Sequence, residues 1–140
     1  MARSTTSLRL DDDLRDRLAL AAQTAGTSLT AIVERFIKEG LDMASHPGVI
    51  FKTGPSGRRA ALAGGPDIWE IASALRHTTG PTGTRVATLA SEFGIHERQV
   101  SIALDYAAAH WDEVEGRMSS NDRALDDAQR AAAARERLMA

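Results

Sequence analysis

Few side chains in this 140-residue chain have the types and spacing that covalent chemistry needs. The four histidines, His46, His77, His96 and His110, are too far apart in sequence for a close ligand pair, and there is no cysteine to supply a thiolate. Asp11, Asp12 and Asp13 are consecutive, so on a helix start their carboxylates point in different directions and cannot converge on one ion. The loop Thr53-Gly54-Pro55-Ser56-Gly57 lacks the glycine-lysine-serine/threonine ending of a phosphate-binding loop and reads as a turn. No nucleophile motif or glycine-rich cofactor fingerprint is present, so no catalytic residue, metal or cofactor is expected. What remains is recognition chemistry. Thr5, Ser7 and Arg9 are hydrogen-bonding and cationic side chains two residues apart, on one side of an alternating stretch.

Such a strand needs a partner. Thr6, Leu8 and Leu10 form its other, more apolar side. Asp11 is placed to cap a helix, with Asp12 and Asp13 in the first turn, where the helix dipole favours negative charge. Leu14, Leu18, Ala21 and Ala25 give that helix one apolar face, and Gly26 is a natural stop. Thr27 and Ser28 cap a second helix whose face is Leu29, Ile32, Val33, Phe36, Ile37 and Gly40, with Leu41 at its margin. So short a unit, with two apolar helix faces and one apolar strand face, rarely stabilises itself alone. Two copies could pair their strands antiparallel and cover all three faces at once.

The order of features over residues 4–44, a little under a third of the chain, resembles the ribbon-helix-helix family of Arc/MetJ type. The resemblance implies an intermolecular two-stranded antiparallel ribbon lying in the major groove of double-stranded operator DNA, which admits such an element. Thr5, Ser7 and Arg9 would then face base edges. Arg9 would be the main specificity residue, because a guanidinium can bond guanine O6 and N7 together. Ser28, Leu29 and Thr30 would offer backbone N–H groups to a phosphate, and Arg3 a further backbone contact. The plainer alternative makes Arg9 an exposed arginine on a strand that only dimerises.

The rest of the chain divides into a Gly/Pro-rich linker and short hairpin over 46–66, a helix-turn-helix domain over 67–118 and a polar tail, helical or disordered, over 119–140, behind the first domain at 1–45. Val49–Lys52 and Arg58–Leu62 read as the hairpin strands. Asp67 caps a helix with the face Ile68, Trp69, Ile71, Ala72 and Leu75. Leu89, Ala90 and Phe93 mark the next helix, Gly94 a tight turn, and His96 or Glu97 the start of a helix. That last helix carries one stripe through Val100, Ala103, Leu104, Ala107, Trp111, Val114 and Met118. Trp69 and Trp111 read as core anchors. Arg98, Gln99, Ser101 and Ile102 are a second candidate surface for DNA or a partner, although the acidic neighbour Glu97 and an isoleucine suit base reading poorly. Residues 46–118 resemble a small helix-turn-helix antitoxin domain of VapB-like type, through His46-Pro47-Gly48, Ala103-Leu104-Asp105-Tyr106 and Glu113-Val114-Glu115. This second resemblance implies a PIN-like ribonuclease toxin as partner. In the tail, Leu125, Ala128, Ala132, Arg135 and Met139 could line a groove on such a partner.

The expected fold is therefore mainly α, a ribbon-helix-helix followed by a small hairpin and a helix-turn-helix. The expected function is that of an antitoxin of a type II toxin–antitoxin system. It would bind operator DNA as a homodimer or higher oligomer, repress its own transcription and neutralise a toxin nuclease. Two alternatives are an interaction module without DNA binding and a ligand-responsive repressor with a roomy apolar pocket near Trp69 and Trp111. The net charge is −2, and positive and negative side chains balance within each segment, so a DNA surface must come from local placement of charge. No apolar run approaches the ~18 residues of a membrane span and no secretion signal is present, so the expected compartment is the cytoplasm.

Overall fold

The structure is a computed structural model that describes residues 2–140. It is mainly helical, with one two-stranded sheet. The chain divides into two compact units, the first ending at Asp42 and the second beginning at Met43. The boundary lies inside a helix, a few residues before the end of the domain expected at 1–45.

In the first unit, residues 2–11 form no regular secondary structure in a single copy. Helix α1 follows, Asp12–Ala25. Asp11 caps it, its carboxylate accepting from the Leu14 N–H at 2.8 Å. Gly26, at φ 64°, ends it. The Gly26 N–H donates to Gln23 O and the Thr27 N–H to Ala22 O, which satisfies two carbonyls that the helix leaves open. Helix α2 spans Leu29–Ser45, and Ser28 Oγ accepts from the Ala31 N–H at 3.1 Å. Lys38 pairs with Asp42 one turn on, at 2.9 Å.

The second unit opens with strands β1, Val49–Gly54, and β2, Gly57–Leu62, paired antiparallel from Val49↔Leu62 to Gly54↔Gly57. Residues 46–66 are therefore not a linker. Val49, Ala60, Ala61 and Leu62 are buried, because the hairpin forms one wall of the core. Helices α3 (Ile68–Leu75), α4 (Thr82–Phe93), α5 (Glu97–Ala109) and α6 (Trp111–Met139) complete the unit. Gly94, at φ 63°, closes α4, and the His96 ring and Gln99 side chain form a reciprocal cap at the start of α5. The core gathers Leu62, Ile68, Ile71, Leu89, Val100, Tyr106, Val114 and Met118.

Two expectations about the last helices are corrected. The stripe from Val100 to Met118 does not lie on one helix. The backbone breaks at His110 (φ −125°, ψ 42°), so α6 turns and brings Val114 and Met118 onto the same core that Val100 and Ala103 face from α5. Trp111 is at that break and is 46% exposed, so it is no core anchor. Tyr106 fills the central position instead. It is fully buried, stacked on the His110 ring at 4.3 Å and edge-on to His46 at 5.3 Å, and its hydroxyl donates to Glu113 at 3.2 Å. The tail over 119–140 is helical to Met139 and continuous with α6. No helix among the described residues is long and apolar enough to cross a membrane.

Candidate functional site

The candidate surface is built by the first unit. Good caps place its helices: Asp11 and Gly26 bound α1, Ser28 starts α2, and only one link of a few residues separates them. This leaves the stretch before Asp11 running over the apolar sides of both helices. Leu8, Arg9, Leu10, Arg15, Leu18, Leu29 and Val33 line an open groove of about 480 Å³. The unit buries little else in one copy. Ala22 and Ile32 are its buried apolar residues, whereas Leu8, Leu10, Leu14, Phe36, Ile37 and Leu41 are all exposed. So many exposed large apolar side chains on one small unit are the kind of feature that marks an interaction site.

The polar residues expected to read DNA are placed as follows. Thr5, Ser7 and Arg9 are exposed. Arg3 reaches across to Glu34 on α2, with Nη1 donating to Oε1 at 3.0 Å, both side chains largely in solvent. An exposed pair of this kind holds weakly, so Arg3 can be released to a phosphate at small cost. Ser28 spends its hydroxyl on the cap. Leu29 and Thr30 sit in the first turn of α2, where backbone N–H groups have no partner within the helix, and both are exposed. A helix start of this kind favours an anion.

The four residues of the second candidate surface are placed unequally, two in solvent and two half-buried. Arg98 and Ser101 are exposed on α5. The Gln99 side chain is engaged by the cap, accepting from the His96 N–H at 3.0 Å. Ile102 is half-buried against the core, close enough to Gly48 that a Cβ there would stand 3.1 Å from Ile102 Cδ1. Capping and packing use the two side chains that the periodicity alone left outward. In the tail, Leu125, Ala128, Ala132, Arg135 and Met139 are all exposed on α6.

One largely buried polar cluster has no signature in the sequence spacing. The Asp67 carboxylate accepts from Arg59 Nε, from Trp69 Nε1 at 3.2 Å and from Lys52 Nζ at 3.2 Å, and Glu70 accepts from the Asp67 N–H at 2.9 Å. Arg117 on α6 donates to the backbone carbonyls of Ser56, at 2.6 Å, and Arg58. Both sets tie the hairpin to the helices, so they are read as structural. The signal for Asp67 was its capping position alone; nothing in the spacing pairs it with Arg59. Among the described residues no three His, Asp or Glu side chains gather as a metal ion would require.

No protein-family model, curated protein or solved structure matches this chain.

Proposed function

We propose that the chain is a homodimeric DNA-binding repressor of the antitoxin kind, whose first unit is completed by a second copy. The single observation that carries this reading is the state of the first unit in one copy. Its caps and helices are formed, yet Leu8, Leu10, Phe36, Ile37 and Leu41 stay exposed around a strand-length segment with nothing to pair with. Pairing residues 4–10 of two copies antiparallel satisfies the open backbone groups and covers these side chains together. It also sets Thr5, Ser7 and Arg9 of both copies along the outer face of one ribbon, with the two starts of α2 flanking it. A twofold ribbon reads a twofold operator. The second unit, with its own core, is then the part that holds a partner protein, and the resemblance at 46–118 makes a ribonuclease toxin that partner.

A gel-shift assay on the DNA upstream of the gene tests this. Arg9→Ala should weaken specific binding by about 30-fold or more while the dimer persists, since a bidentate guanine contact discriminates by ~1–3 kcal/mol and the dimer loses one in each half-site. Undiminished binding by Arg9→Ala removes ribbon readout. The balanced charge of the first unit favours one rival, a ribbon that only dimerises. That rival requires that no DNA binding of steep salt dependence be found.

A further inference from the structure

A second groove lies on the other unit, and it is unlike the first. It is about 340 Å³, near the lower end of the size of small-molecule sites. It is lined by Ala72 and Leu75 of α3, by Leu104, Ala107 and Ala108 of α5, and by Trp111. The small side chains make the space, and the break at His110 leaves the Trp111 indole 46% exposed beside it. Two arginines also line it, and they are not equivalent. Arg76 is neutralised: it pairs with Asp122 at 3.3 Å and donates to Ser73 Oγ at 2.8 Å. Arg85 is half-buried and has no carboxylate within ion-pair reach among the described residues. Its Nε donates to Thr78 Oγ1 at 2.9 Å and its Nη2 to Leu75 O at 3.0 Å, both uncharged oxygens at the end of α3. These hold the guanidinium in place, and the helix end supplies only a partial negative charge of about half a unit. Among the described residues Nη1 donates to no protein group, and it is open to solvent.

A half-buried cation without a counter-charge, lining an otherwise largely apolar groove, selects a ligand with two parts. We infer that this groove binds a small organic anion with an apolar body, such as a medium-chain or aromatic carboxylate. The carboxylate would take the open face of the Arg85 guanidinium, and the apolar body would lie on Leu75, Leu104 and Ala108 against Trp111. The site lies wholly within the second unit and does not depend on the DNA-binding reading.

Isothermal titration of the full chain with octanoate tests this, with octan-1-ol as the uncharged counterpart. We expect saturable binding of one octanoate per chain, and octanol at least ~10-fold weaker, the scale of one charge-assisted hydrogen bond. Arg85→Gln keeps a donor near Thr78 but removes the charge, and should weaken octanoate by a similar factor while leaving octanol unchanged. Ala108 is exposed, so Ala108→Leu fills the groove without touching the core and should abolish binding in a folded chain. Binding should also shift the emission of the wild-type chain, and Trp111→Phe should remove that shift. Octanoate that does not saturate, octanol that binds equally well, or an unaffected Ala108→Leu would each overturn the assignment.

Discussion

Leu8 and Leu20 are matched in exposure and opposite in expected consequence. Leu8 is 65% exposed and Leu20 64% exposed in a single copy. Leu8 lies on the apolar side of the alternating segment with Thr6 and Leu10, and lines the open groove. Leu20 falls off the Leu14, Leu18, Ala21 and Ala25 face of α1. Full burial of a leucine side chain is favourable by ~1.5–3 kcal/mol, so covering the exposed two-thirds of Leu8 contributes about 1–2 kcal/mol per copy. Twofold symmetry doubles this to about 2–4 kcal/mol per dimer. Leu8→Ser should therefore raise the dimer dissociation constant by about 30- to 700-fold, at tenfold per ~1.4 kcal/mol. Leu20→Ser should leave it within about twofold. Sedimentation velocity over a concentration series reads both constants. Equal effects of the two substitutions, or a wild-type chain that stays a compact single copy at micromolar concentration, would refute the assignment of the dimer face.

Two further substitutions probe the hairpin. Asp67→Ala leaves Arg59 and Lys52 facing each other without their shared carboxylate, at a position where the Asp67 and Arg59 side chains are largely buried; urea unfolding should show a loss of about 3–5 kcal/mol in the second unit. Gly54→Ala places a methyl group on the Arg59 guanidinium, which cannot swing aside without leaving Asp67, so we expect a loss of about 1–3 kcal/mol by the same measurement, and little effect of Gly64→Ser beyond its backbone strain, since nothing stands within 4 Å there.

Much of this fold was legible because its signals are local. Asp11, Gly26, Ser28, Asp67, Gly94 and His96 all act within a few residues of themselves, and each bounds a helix where the sequence put the boundary. The strands of the hairpin followed from a Gly-rich turn between two short runs. What escaped was set by distance. Trp111 falls on the stripe expected for one continuous helix and the turn at His110 leaves it outside, whereas Tyr106, which that stripe does not include, is fully buried on α5. Periodicity assigns a side chain to a face of a straight helix and cannot see a break that keeps both neighbours helical. The Asp67–Arg59 pair likewise needs the register of β2 against α3, which no sequence spacing contains. Residues 2–10 are exposed throughout in one copy, so the alternation that separates Thr5, Ser7 and Arg9 from Leu8 and Leu10 in the sequence has no counterpart in a single chain.

The unequal completeness of the two units has a thermodynamic consequence. In the second unit Leu89, Val100, Ala103 and Tyr106 are fully enclosed by one chain, so its stability is an intramolecular quantity. The first unit encloses only Ala22 and Ile32 among its apolar side chains, too little to offset the entropy of ordering about forty residues. If a second copy supplies the missing burial, dissociation and unfolding of the first unit are one event, and its midpoint depends on concentration by mass action. A tenfold dilution then removes ~1.4 kcal/mol, which for a dimeric unit of under a hundred residues lowers its midpoint by on the order of 5–10 °C. The second unit's midpoint should not move. Thermal unfolding followed by circular dichroism at two concentrations tenfold apart should show one transition that shifts and one that does not. A single transition indifferent to concentration would mean that forty residues with two buried apolar side chains hold together unaided, and the case for a ribbon shared between copies would go with it.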